Sequence, residues 1–157
     1  MIKLTRAIFA VVAAPLLPVA VAPLADAAEM PLSSQWRACD GTKLAWVPAV
    51  GDAGATAHVT NNGSGSIVAT IDLASTLPYT HYDVRVIQVP RPSYDCGPGA
   101  HGVIVGGVQT DGAGAGSTTF QGPIVSGATG AWVIVERPAP NSQTPEEFYT
   151  SEFAAPL

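Results

Sequence analysis

The chain has 157 residues, of which only 12% are charged, with a formal net charge of −5 and two cysteines. That sparse, mildly acidic balance excludes a surface built to track a nucleic-acid backbone or an anionic lipid sheet, since both need clustered Lys and Arg.

Lys3 and Arg6 precede an apolar run over residues 7–24, and Ala25-Asp26-Ala27 supplies a small-x-small cleavage pattern. This three-part layout predicts a secretory signal peptide over residues 1–27. Pro15, Pro18 and Pro23 interrupt the run, which suits a removed leader better than a membrane-spanning helix. Residues 28–157 are then one extracytoplasmic domain of about 130 residues, with no stable membrane insertion after processing. Losing Lys3, Arg6 and Asp26 takes the net charge from −5 to −6 and leaves Arg37, Lys43, Arg85, Arg91 and Arg137, scattered along the chain. The high Ala, Gly, Pro, Val and Thr content resembles that of proteins from high-GC bacteria.

Residues 29–40 are the only stretch read as able to hold a short helical turn. After them come short β-branched runs separated by Gly, Pro, Asn and Asp, the punctuation of an all-β chain. Strands are predicted over residues 43–47, 55–60 and 66–73, with Asn61-Asn62-Gly63 as the turn between the last two. In the third, Ile67, Ala69, Ile71 and Leu73 share one face. A fourth runs over residues 81–89, with Tyr82, Val84 and Val86 on one face, and Pro90 and Pro92 end it. A long loop over residues 90–102 carries Cys96. The fifth strand is placed over residues 102–110, followed by a flexible Gly-rich hairpin end over 111–116. The sixth covers 117–125, with a bulge or edge position at Gly122-Pro123, and the seventh covers 130–137, with Trp132 and Ile134 on one face as core. Residues 148–153 are a last edge strand or an ordered tail. In an exported chain, Cys39 and Cys96 read as one disulfide. Seven or eight short strands with frequent turns give an antiparallel sandwich or barrel.

Leu77-Pro78-Tyr79-Thr80-His81-Tyr82-Asp83-Val84-Arg85-Val86 resembles the fibronectin type III signature around its tyrosine corner. The resemblance implies an immunoglobulin-like β-sandwich. It makes Tyr82 the corner tyrosine, its hydroxyl bonded to upstream backbone, and Leu77 its packing partner. The alternating plan is also similar to superoxide-dismutase-like sandwiches, which use a dense histidine cluster. This chain has only His58, His81 and His101, without His-x-His or His-x-x-x-His spacing, so neither a metal site nor a cofactor is expected.

No nucleophile elbow, phosphate loop or paired-carboxylate pattern is encoded, and the expectation is a protein without catalytic activity. The remaining lead is aromatic: Trp36, Trp46, Trp132, Tyr79, Tyr94 and Tyr149. A disulfide draws Trp36 and Tyr94 into one neighbourhood. With Arg91 and His101 they form the candidate ligand surface, for a protein or glycan partner at the cell envelope. The alternatives are a metal-binding protein or metal-dependent enzyme using the three histidines, and a small secreted hydrolase inhibitor presenting the 90–102 loop.

Overall fold

The computed structural model describes residues 28–157 apart from 46 and 48–50. The leader expected over residues 1–27 and the aromatic Trp46 lie outside the described residues.

Alternation builds the sheet. In β2 (Gly54–Asn61) and β3 (Ser66–Ala74) every second residue is buried, so Ala57, Val59, Ile67, Ala69, Ile71 and Leu73 share one core. β4 (His81–Val89) has the predicted bounds and sends Tyr82, Val84 and Val86 to the same side. β5 (Val103–Gln109), β6 (Gly116–Pro123) and β7 (Gly130–Arg137) follow closely where they were expected. Register through Gly122 and Pro123 is unbroken, so the proline sits at the end of an edge strand rather than at a bulge.

Three expectations are corrected. Residues 28–33 form a strand, β1 (Ala28–Ser33), in place of a helical turn, with Met30 and Leu32 in the core. Pro31 is tolerated because its carbonyl faces the N–H of Glu152, 3.0 Å away, beyond the end of the neighbouring strand, so its missing N–H takes nothing from the β2 ladder. Of the strand expected over residues 43–47, the described residues show one bridge, between Arg37 and Lys43, which closes a short reverse turn at Gly41 (φ 86°). Residues 148–153 are no edge: β8 (Glu147–Ser151) lies between β7 and β1 and is buried throughout.

All ladders are antiparallel and form one sheet in the order β5-β4-β7-β8-β1-β2-β3-β6, with the two-residue β9 (Ala155–Pro156) also pairing β7. The sheet curls until its edge strands meet, giving a near-barrel. Along the β5–β6 seam side chains replace hydrogen bonds: a Cβ on Gly106 would stand 2.7 Å from the Phe120 ring, and one on Gly122 would stand 2.7 Å from Ile104. Among the described residues, no helix is long and apolar enough to cross a membrane.

A second, smaller core lies outside the barrel. Trp132 and Ile134 are buried, but with Ile87 on the outer face of β4 and β7, while Ala131, Val133 and Val135 face the main core. Trp36, Val89, Cys96 and Val103 pack over this outer cluster, and the Cys39–Cys96 disulfide ties the two covering segments together. The Trp132 indole N–H donates to the Cys39 carbonyl at 3.2 Å. β7 is thus covered on both faces, which is why most of its residues are buried.

Candidate ligand cleft

β4 ends at Val89, and the Val89-Pro90 peptide is cis. The chain then leaves the sheet as the 90–102 loop, which is held at its middle. Cys96 is bonded to Cys39, and the Arg85 guanidinium donates to the Cys96 carbonyl at 2.8 Å while pairing with Glu136 at 2.7 Å. The far end of the loop returns at Gly102, whose carbonyl accepts from the Gln88 N–H at 3.0 Å.

Gln88 is the hinge pin between this loop and the segment after β6. Its side chain is buried, and its amide is used at both ends: Nε2 donates to the Pro123 carbonyl at 3.0 Å and Oε1 accepts from the Val125 N–H at 2.9 Å. A buried amide satisfied in this way fixes its neighbours, because moving either one strands a polar group. Between the two walls lies a cleft of about 470 Å³, bordered by Pro90, Arg91, Asp95 and His101 on one side and by residues 125–128 on the other.

Arg91 and His101 both line this cleft. One Arg91 Nη donates to the Asp95 carbonyl, and Nε is shielded from solvent without a hydrogen-bond partner. A guanidinium on the wall of a cleft that also carries an imidazole is chemistry that takes a carboxylate or another anionic oxygen. Tyr94 is carried by the same loop but points outward and is largely exposed. Trp36 is elsewhere: it meets Phe148 edge-to-face at 4.8 Å and lines a separate hollow of about 200 Å³ beneath the disulfide, with Cys39, Cys96 and Trp132. His58 lies on β2 and His81 opens β4, where it stands 3.4 Å from Asp83. Among the described residues, no three His, Cys, Asp or Glu side chains are grouped to hold a metal ion.

At the other end of the barrel is a polar cluster that the sequence does not advertise. The Glu147 carboxylate is buried and accepts from Tyr82 Oη at 2.8 Å, from Tyr149 Oη, and from Arg137 Nε at 3.4 Å. Tyr82 Oη accepts the Leu77 N–H at 3.3 Å, so its hydroxyl does reach upstream backbone. Leu77 makes this link through its main chain, and its side chain is about half exposed rather than packed away. Tyr149 Oη accepts the Ala53 N–H at 3.2 Å. Burial, reinforced by the Glu147 hydrogen bond, pushes both phenols above the usual tyrosine range. A hollow of about 270 Å³ opens beside this cluster, bordered by Asp52, Thr76, Leu77, Arg137 and Glu146.

No family model, curated protein or solved structure matches this chain.

Proposed function

We propose that this protein is a secreted, non-catalytic binding module of the cell envelope or exterior, and that the cleft beside the 90–102 loop takes the anionic group of a protein or glycan partner. The observation that supports the reading is that Arg91 and His101 both line a cleft of about 470 Å³ whose walls are pinned by Gln88 on one side and anchored through Cys96 on the other. A site fixed before its ligand arrives loses little freedom on binding. Export is supported by the leader pattern over residues 1–27 and by a disulfide of the kind that persists in oxidising compartments. An immunoglobulin-like ancestry is supported by the Leu77 N–H to Tyr82 Oη bond, the contact a tyrosine corner makes.

The test is a titration of the isotope-labelled, disulfide-bonded protein with glucuronate, acetate and inorganic phosphate, read by amide chemical shifts. The reading expects saturable shifts at Arg91, Gly102 and Gly127 that vanish in Arg91→Ala. Shifts absent with all three probes, or unchanged in Arg91→Ala, overturn it.

A further inference from the structure

The opposite end of the barrel holds out an apolar tip on a strained, locked loop. Between β3 and β4 the chain turns through Ser75 (φ 61°) and Tyr79 (φ 52°), two residues with side chains in the left-handed region that favours glycine. Such conformations persist only where the surroundings over-determine them, and they cluster at functional surfaces. Here the surroundings are the 110–115 hairpin. The Thr76 N–H and hydroxyl both donate to the Gly114 carbonyl, at 3.0 and 2.8 Å. The Tyr79 N–H donates to the Asp111 carbonyl at 3.0 Å. Thr110 Oγ1 accepts from the Thr80 N–H at 2.8 Å and donates to the Leu77 carbonyl at 2.7 Å. Gly112 and Gly114 pack so closely beneath that a Cβ on Gly112 would stand 2.5 Å from Tyr79 Oη, and one on Gly114 would collide with the Thr76 carbonyl. The Gly-rich stretch read as a flexible hairpin end is a tied buttress.

The strain does not serve the core. Tyr82, just after this loop, is fully buried, whereas Tyr79 is 79% exposed and Leu77 47% exposed, with Pro78 exposed between them. The charge around the tip is acidic. Asp52 and Glu146 border the hollow that Leu77 lines. Asp111 sits beneath Tyr79, its carboxyl kept below the usual range by the N–H groups of Ala115 and Ala113. Arg137, the one cation on that hollow among the described residues, is engaged by Glu146 and Glu147.

We propose that Leu77, Pro78 and Tyr79, with Asp52, Glu146 and Asp111 around them, form a docking surface for an extended protein segment that places an apolar side chain beside Lys or Arg. A tyrosine held rigid before contact is an efficient anchor, because little side-chain freedom remains to be lost. The acidic surround selects cationic partners and makes their association salt-sensitive. The surface is independent of the Arg91 cleft: the length of β4 separates them, about 26 Å at the usual strand rise.

The experiment is selection of a random peptide library on the whole disulfide-bonded protein, followed by titration of the selected peptides as synthetic probes. Tyr79→Gly is the informative variant, because glycine accepts the positive φ, so the fold is kept or strengthened while the anchor is removed. The inference expects an apolar-plus-basic consensus and affinity that weakens with salt. It also expects a loss of at least about tenfold in both Tyr79→Gly and Leu77→Asp, with Arg91→Ala unaffected. An acidic or uncharged consensus, salt-independent binding, equal binding to Tyr79→Gly, or no enrichment overturns it. Loss only in Arg91→Ala assigns the peptides to the cleft and also overturns it.

Discussion

Tyr82 hands its hydroxyl hydrogen to Glu147 at 2.8 Å, although their strands, β4 and β8, are separated in the sheet by β7. The bond spans β7 alone, at the level where Arg137 pairs in register with Glu147, and Tyr149 reaches the same carboxylate from within β8. Hydrogen bonds to a charged group contribute about 1.5–3 kcal/mol each when the alternative is a buried charge missing a donor. Tyr82→Phe is therefore expected to lower stability by that amount in a denaturant titration. Unchanged stability would show that solvent replaces the lost donor.

The same cluster sets behaviour in alkali. Both tyrosines are protonated more tightly in the folded than in the unfolded chain, because burial first, and Glu147 second, disfavours the phenolate. The folded state then holds more protons above about pH 10, so stability falls as pH rises past the unfolded tyrosine value. Unfolding followed with pH is expected to release phenolate absorbance in step with loss of the β-sheet signal. In Tyr82→Phe that alkaline slope becomes shallower. A slope equal to the parent's would remove Tyr82 from the account.

At the acid side one contributing group is Glu152. It receives Lys43 Nζ at 2.8 Å and the Ser33 hydroxyl, and both hydrogen bonds pull its carboxyl below the ordinary range. A depressed carboxylate contributes stability above its unfolded value and loses it as pH falls through the folded one. The pair is part-exposed, so Lys43→Met is expected to remove less than about 1 kcal/mol at neutral pH. Its stability should converge with the parent's once Glu152 is protonated. A constant gap at all pH values would point to lost packing instead.

Sequence reasoning succeeded where one face of a strand is buried and the other wet. β2 and β3 show that alternation throughout and β4 shows it up to Val86, and the bounds of all three were recovered to within a residue or so. It failed at β1 and β8, whereas β7, also covered on both faces, has the expected bounds because Gly130 and Pro138 punctuate it. β8 is buried on both sides and has no alternation to read, and β1 carries Glu29 and Pro31 in a strand. Of the four residues expected to form a ligand surface, Arg91 and His101 line one cleft because both belong to the disulfide-anchored loop, and Trp36 lines another hollow. The Glu147 cluster was not, since Tyr82 and Glu147 are 65 positions apart and nothing local links them. The placement of Trp132 shows the same limit: alternation told which residues share a face, but not that the outer face would have its own cover.

That cover depends on the disulfide. Cys39 and Cys96 are 57 positions apart, and a cross-link of that span stabilises by about 4 kcal/mol on the chain-entropy account. Reduction, or Cys39→Ser with Cys96→Ser, is expected to cost about that much and to expose Trp36 and Trp132. The readout is a red-shifted tryptophan emission at denaturant concentrations where the barrel's far-UV signal persists. Simultaneous loss of both signals would mean that the outer cluster and barrel fold as one unit.

The seam between β5 and β6 can be tested by a double-mutant cycle. Gly106 has an ordinary backbone conformation, so any penalty for adding a methyl group there is steric, and its neighbour is the Phe120 ring at 2.7 Å from the added carbon. Gly106→Ala alone is expected to cost about 1–3 kcal/mol by overpacking. In a Phe120→Ala background the same change meets an emptied space, and its cost should fall close to zero. The difference is a coupling energy between two strands that share no ladder. A coupling near zero would mean that the sheet edges stand apart in solution, leaving β5 and β6 open as two unpaired edges rather than a closed seam.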